Sequence, residues 1–496
     1  MARKWTLMVF LSADNDLEKF AFKDIHEMER IGSNDDVTVV VQIDRSGGGL
    51  NQTALRGVID RDPQWARLPS DVFKSRLADI GETNTGDPKV LEDFIVDSVT
   101  RYPAERYGLV IWNHGSGWKP RFMYEAVEKA SGTALVEPMK AAGFDELYRE
   151  QTKRLVFRKT LDSTIDTFIH RSLLPGLGRD RDVIRREFIS ALKGIDRKSF
   201  IGDVDSIEAK ELSPLIARSY REIARLSEEE PAEFADILFR AIGLDTTSQD
   251  HLDAVELRSA LAGALSRIAE TGQQMRFSIL GFDACLMAGI EICFQIRECA
   301  DFIVGSEEVE PSTGWSYDKF IEAVQSFPDD PRRIASISVD NYIAALANYR
   351  LRLVTQSAIQ ANSIDLLATK MDSVGRILLP LLATGYVEIA RAEKTSTKFF
   401  GDKDVMDVGH FLDRLLASAA LLNTNDAAIV RDARDFLASN VIVNSRFDFN
   451  LNLEAPTGMS IYFPYREGFD SAYETLDLYA SFHNWIRFIK SYHFLP

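Results

Sequence analysis

Two short segments constrain this chain more than any other feature: Tyr107 to Trp118 (YGLVIWNHGSGW) and Phe277 to Ala288 (FSILGFDACLMA). Each runs an apolar block straight into a reactive side chain, His114 in the first and Cys285 in the second. About four to six consecutive apolar residues bounded by glycine or polar residues read as a strand buried on both faces of a parallel sheet, the kind that helices cover. Residues just past the carboxyl ends of such strands meet at one edge of the sheet, where open α/β folds place their sites. A thiol and an imidazole are therefore expected to converge there, the minimum equipment of a cysteine hydrolase.

The rest of the chain supports an α/β reading. Trp5 to Leu11 reads as a strand, Leu17 to Ile31 as a helix, Val37 to Ile43 as a strand, Val90 to Thr100 as a helix and Gly108 to Trp112 as a strand. Such alternation favours a mostly parallel sheet with right-handed crossovers. The pattern stops after Trp118. Residues 119–243 carry little strand-like patterning and a segregated charge: residues 151–200 hold twelve Lys or Arg against six Asp or Glu, residues 201–250 five against twelve. A large helical insertion between the His and Cys strands is expected, serving as a regulatory or pro-segment or as a plain subdomain. The α/β pattern resumes with a helix at Leu252 to Thr271, the Cys strand, a helix at Leu286 to Arg297 and a strand at Phe302 to Gly305. A helix at Pro331 to Ala347, a strand at Leu351 to Ile359, long helices to Ala420 and a late strand at Met459 to Phe463 complete the reading. The expected divisions are residues 1–118, the insertion at 119–243, a Cys-bearing half at 244–330 and a C-terminal α/β part at 331–496.

Composition narrows the function. A net charge of −17 provides no basic field to displace phosphate counterions, so nucleic acid is not an expected partner. No run of eighteen apolar residues appears, and no membrane span is expected. The three cysteines, Cys285, Cys293 and Cys299, lie within fifteen positions of each other; an odd number in 496 residues argues against a disulfide framework and for a reducing, cytoplasmic setting.

A helix starting at Leu286 would place Cys285 at its amino terminus, where the helix dipole favours a thiolate. His114 is followed by Gly115, Ser116 and Gly117, a turn that lets backbone amides approach a ligand. Asp283 lies two positions before Cys285, so on an extended strand both side chains project to one side. A carboxylate there suits a cationic substrate residue, although capping of the following helix is the ordinary job of such an Asp. Ser306, Glu307 and Glu308, beyond the next strand, form either the opposite wall of that pocket or a solvated acidic loop. Asp14, Asn15, Asp16 and Glu18 gather oxygen ligands that suit calcium, and equally read as helix-capping residues.

At these residues the chain resembles the clostripain family of cysteine peptidases, part of the wider caspase-like group. The blocks that carry the resemblance are WTLMVFLSADNDLE from Trp5, the Asn-His-Gly-Ser-Gly-Trp run, LDAVELRSAL from Leu252, GFDACLMA from Gly281, GSEEVEPSTGWSY from Gly305 and GMSIYFP from Gly458. The resemblance implies a caspase-like αβα sandwich and endopeptidase activity, with Cys285 as nucleophile and His114 as the acid for the leaving amine. It also implies an oxyanion hole built from the backbone amides of Gly115 and Cys285, and a pocket at Asp283 for Arg, less often Lys. No cofactor is needed for that chemistry, and some relatives use calcium. The insertion departs from the family pattern. Its Arg179 and Arg181, after the Pro175 to Gly178 turn, are candidates for cutting by the enzyme itself or by an upstream protease, which would make the chain a latent enzyme of a signalling or defence cascade. The competing expectations are an idle caspase-like binding scaffold and a cysteine amidase acting on small molecules.

Overall fold

The apolar runs of the N-terminal third form strands because each is flanked by helices that cover it from both sides. The computed structural model describes residues 3–118 and 245–493, except 16, 47–52, 63, 65–71, 116, 246–247, 249, 347–352, 400–401, 403, 419, 450–453 and 465–468. The expected helical insertion at 119–243, with Arg179 and Arg181, lies outside the described residues. Residues 1–121 and 241–496 form one compact unit.

Its centre is a nine-stranded sheet. Strands β1 (Arg3–Ala13), β2 (Val37–Arg45), β3 (Ala54–Val58), β4 (Ala78–Gly81), β5 (Ala104–Trp112), β6 (Phe277–Asp283), β7 (Ala300–Gly305), β8 (Leu353–Gln360) and β10 (Ile442–Phe449) run in the order β10-β8-β7-β6-β5-β1-β2-β3-β4. The five central strands, β7 to β2, are mutually parallel. Antiparallel strands extend both edges: β8 and β10 on one side, β3 and β4 on the other. A separate two-stranded sheet pairs β9 (Val405–Asp407) with β11 (Ser460–Tyr462).

The helices among the described residues are α1 (Glu18–Ile31), α2 (Pro88–Arg101), α3 (Ala254–Glu270), α4 (Ile290–Ile296), α5 (Tyr317–Ser326), α6 (Pro331–Ala345), α7 (Ile364–Thr395), α8 (Val408–Ala417), α9 (Thr424–Phe436), α10 (Asp477–Ser481) and α11 (His483–His493). Strand alternation sends Leu7, Val9 and Leu11 to one face, where they pack with Ile25 of α1, Phe320 of α5 and Ile334 of α6. Met8, Phe10, Leu280 and Phe282 face the opposite way, onto Phe94 of α2, Leu257 of α3, Ile292 of α4 and Met371 of α7. Both faces are covered, which is why the parallel strands read as unbroken apolar runs. The result is an αβα sandwich.

Local signals set several helix starts. Asp87 accepts from the Lys89 N–H ahead of Pro88, and Asp253 and Glu256 form a reciprocal capping box at α3. One helix, residues 361–395, is long and apolar enough to cross a membrane by length and composition. It contains Pro380, departs from helical geometry at Gly385, and buries Leu367, Met371, Val374 and Leu378 in the protein core.

Candidate active site

Parallel pairing of β5 with β6 sets the site. Trp112 is in register with Asp283, and the Asn113 N–H donates to the Asp283 carbonyl at 3.2 Å, so His114 and Cys285 follow side by side off neighbouring strands. Both are buried, at 3% and 5% exposure. Asn113 anchors the histidine turn, its amide donating to the Ser12 carbonyl of β1 at 2.8 Å while its side-chain oxygen accepts from the His114 N–H. Gly115 lies against the backbone of Cys285: a Cβ there would sit 2.2 Å from the Cys285 carbonyl oxygen and 2.6 Å from its nitrogen. Only glycine permits that approach.

The helix expected at Leu286 starts later. Residues 285–288 form turns, Leu286 adopts φ 66°, and α4 begins at Ile290 with Gly289 as its N-cap. Cys285 is therefore not at a helix amino terminus, and Asp283 does not cap one. The turn is held by its neighbours instead. Leu286 N–H donates to the Glu308 carbonyl at 3.1 Å, Ala288 N–H to the Ser306 carbonyl at 2.8 Å, and Ser460 N–H of β11 to the Ala288 carbonyl at 3.1 Å. The donor aimed at sulfur is a backbone amide, Glu310 N–H to Cys285 Sγ at 3.1 Å. A hydrogen bond of that kind strengthens when its acceptor is ionised.

Asp283 points to the α1, α5 and α6 side of the sheet. Its carboxylate accepts from the Trp315 N–H at 3.0 Å, across Gly314, whose φ of 58° and proximity exclude a side chain: a Cβ would lie 2.6 Å from Asp283 Oδ2. The Tyr317 hydroxyl and the Glu310 carboxyl face Asp283, and burial pushes its pKa up to about 6, against the opposing pull of the Trp315 N–H. Glu310 is pushed well above the carboxylate range by burial, then by the charges of Asp283 and Cys285. Its Oε1 accepts from Gln356 Nε2 at 3.3 Å, while Oε2 has no donor among the described residues. The Gln356 side-chain oxygen and the Tyr342 hydroxyl are likewise buried without partners.

Sequence reasoning missed Glu310. Glu307, Glu308 and Glu310 stand in one short stretch, and only the bend of that stretch separates their roles. Ser306, Glu307 and Glu308 are fully buried, so the solvated-loop alternative does not hold. Ser306 Oγ pairs with Thr355 Oγ1 at 2.9 Å. Glu307 Oε2 accepts from the Gly458 N–H at 3.0 Å and its carboxyl lies against Asp407. Glu308 Oε1 accepts from the Val309 N–H at 2.9 Å. Ser306 and Glu307 thus tie the segment beyond β7 to Thr355 and Gly458, while the Glu308 carboxylate bonds within it.

Around the N-terminal acidic cluster, Asn15 uses its side chain on the Leu17 N–H and the Ser12 carbonyl, and Glu18 accepts from Ser46. Asp16 lies outside the described residues. Among the described residues no group of three or more His, Cys, Asp or Glu side chains is arranged to hold a metal ion.

Fold and site together define a caspase-like αβα protein carrying a thiol, an imidazole and a buried acidic pair at the carboxyl edge of its parallel strands. A model of the clostripain family matches residues 9–133 and 232–492, and the chain belongs to that family, a family of cysteine peptidases. It is 30% identical to clostripain of Hathewaya histolytica over 127 residues, which is 23% of this chain and only 24% of that relative's length. Among solved structures it is similar to a secreted C11 cysteine protease from Bacteroides thetaiotaomicron in complex with an irreversible peptide inhibitor, at 16% identity and a TM-score of 0.54, over 97% of this chain and 99% of that one. An inactive zymogen C11 protease from Parabacteroides distasonis gives 14% identity and a TM-score of 0.54, over 97% and 98%. At such identities the structural likeness bears on the fold alone.

Proposed function

We propose that this chain is a cysteine endopeptidase that cuts after Arg, less readily after Lys, and that it stays latent until it is cut within residues 119–243. The observation that carries the reading is the buried acidic pair beside Cys285, where Asp283 faces Glu310 and Glu310 Oε2 meets no donor among the described residues, so that the pair offers acceptors to a cation. A guanidinium brings five N–H donors in a fixed planar fork and an ammonium three, so Arg satisfies more of them. A neutral substrate residue would leave buried polar groups unpaired.

In this mechanism Cys285 Sγ attacks the scissile carbonyl. The amides of Gly115 and Cys285 receive the developing oxyanion, each contributing ~3 kcal/mol. His114 gives a proton to the leaving amine, and water then hydrolyses the acyl-enzyme. No bound cofactor enters these steps, and calcium at Asp14 to Glu18 would act on structure only. The three cysteines, none of which forms a disulfide among the described residues, suit a reducing cytoplasm. Latency is supported by the basic half of residues 119–243, where Arg179 and Arg181 follow the sequence Pro-Gly-Leu-Gly, and by the existence of a solved relative described as an inactive zymogen. The test is cleavage of peptides bearing Arg, Lys, Asn or Asp at the scissile position, by intact and trypsin-cut protein, with and without calcium. Cleavage after Arg that appears on cutting supports the proposal; cleavage after Asp or Asn, or full activity in the uncut chain, overturns the corresponding part.

A further inference from the structure

Glu291 is a carboxyl in a place that suits an apolar side chain. Every residue of α4 is buried, and Glu291, in its first turn just after the Cys285 turn, is 1% exposed. A buried carboxyl gains little stability over a well-packed apolar side chain, so what its bonds add is a fixed position for their donors. Glu291 Oε1 accepts from the Tyr462 N–H of β11 at 2.8 Å and from the Tyr473 hydroxyl at 2.9 Å. The rings of Tyr462 and Tyr473 stack with centroids 5.0 Å apart, and Trp118 stands edge-on to both, at 4.8 and 4.9 Å. Trp118 closes the Asn-His-Gly-Ser-Gly-Trp run that carries His114, and it is buried. The same strand holds the cysteine side: Ser460 bridges to Gly289, and its N–H donates to the Ala288 carbonyl at 3.1 Å. The two turns also touch directly, since a Cβ at Gly117, whose φ is 65°, would lie 3.1 Å from the Leu286 carbonyl oxygen.

We infer that Glu291 is a positioning residue of the peptidase reaction: its carboxyl fixes the tyrosine pair on which Trp118 rests, and thereby holds the His114 turn against the Cys285 turn. The inference goes beyond the proposed preference for arginine and rests only on Cys285 and His114 as the reacting pair. Stacked rings without a polar anchor can slide over one another. With Tyr473 held by its hydroxyl and Tyr462 by its backbone, Trp118 has one seat and the chain leaving His114 one end point. Loss of these bonds lets the imidazole drift from the sulfur, which slows proton delivery to the leaving amine and leaves substrate contacts as they were.

The experiment is steady-state kinetics of the full chain, trypsin-cut if the uncut form is inactive, on the peptide amide that the wild type cleaves best, with melting temperatures alongside. Glu291→Ala should lower kcat by about a hundredfold and leave KM within about twofold. Tyr473→Phe, which removes only the hydroxyl, should lower kcat by up to about tenfold. Glu291→Gln keeps an oxygen for both donors and should restore most of kcat. Gln295→Ala is the control: Gln295 lies one turn further along α4 and accepts from the Asp477 N–H at 2.7 Å, so its loss should lower the melting temperature and leave kcat unchanged. Wild-type kcat in Glu291→Ala and Tyr473→Phe, a Gln variant no better than the Ala variant, or an equal loss in Gln295→Ala overturns the inference. If Glu291→Ala does not fold, Tyr473→Phe and Glu291→Gln decide. The expected kcat pattern on a peptide cut after a residue other than Arg or Lys would support the inference and refute the arginine reading; a wild type that cleaves no peptide removes both.

Discussion

At the scale of single residues, the proposed mechanism puts the chemistry on the sulfur of Cys285 and the imidazole of His114 and gives the neighbouring thiols no part in it. Cys285→Ala should abolish peptide cleavage with little change in melting temperature, since it removes one sulfur from an edge turn. Cys293→Ala and Cys299→Ala should retain activity. Burial raises the pKa of both thiols, that of Cys299 to about 11, so neither supplies thiolate at neutral pH. His114→Ala should lose turnover because the leaving amine departs unprotonated; steady-state kinetics beside circular dichroism check both variants. Asp283→Ala should lose cleavage after Arg by about 3 to 5 kcal/mol, the cost of leaving a buried charge unpaired. Retained preference for Arg over citrulline in that variant would move the specificity elsewhere. Gly115→Ala forces a methyl into the Cys285 carbonyl. It should cost about 1 to 3 kcal/mol of stability, and a displacement near 1 Å of the nucleophile about a hundredfold in kcat/KM.

At the scale of elements, the strands were legible in the sequence and the turns that connect them to the chemistry were not. Trp5 to Leu11 and Val37 to Ile43 lie inside β1 and β2, and Gly108 to Trp112 inside β5, because burial on both faces demands an apolar residue at nearly every position. The edge strands β3 and β4 escaped notice. Their residues are mostly half-buried or exposed, so no continuous apolar run marks them. The helix after Cys285 was misplaced because Leu286 to Arg297 is apolar enough for a helix, while the left-handed Leu286 and the ties to Ser306, Glu308 and Ser460 are tertiary. No element is assigned to residues 317–326 from the sequence, although Tyr317, Phe320, Ile321 and Val324 of α5 show helical spacing. The floor of the proposed pocket was half visible: Asp283 stood out by its place before Cys285, whereas Glu310 was hidden among equivalent carboxylates. The turn that supports this floor gives a test at its own scale. Gly314→Ala introduces a left-handed alanine costing about 1 to 2 kcal/mol and a methyl against Asp283. KM for Arg peptides should rise and the melting temperature fall; an unchanged KM would detach this turn from substrate binding.

At the scale of the whole molecule, several carboxyls are buried among the described residues, and their raised pKa values shape the pH response of the fold. Burial raises Asp283 to about 6, Glu291 to about 7 and Asp44 to about 8, and raises Asp24, Glu307 and Glu310 strongly. A carboxyl whose folded pKa exceeds its unfolded one binds protons more tightly when folded. Its contribution therefore declines as pH rises from the unfolded value through the folded one. Carboxylates lowered by bonded partners, such as Glu29 and Asp93, act in the opposite direction but complete their gain below about pH 5. The melting temperature should thus fall by several degrees between about pH 5.5 and about pH 8.5; a flat or rising curve from scanning calorimetry would contradict the buried acids. Over the same molecule, cutting within residues 119–243 should switch activity on while the two fragments stay associated through the shared nine-stranded sheet. The central claim, that Cys285 attacks next to a pocket for arginine, is met most directly by peptide mapping of the cut protein after reaction with a peptide chloromethyl ketone ending in arginine. The account predicts a single adduct on Cys285, formed much faster than with the norleucine analogue. An adduct on Cys293 or Cys299, or equal rates for the two reagents, would contradict it.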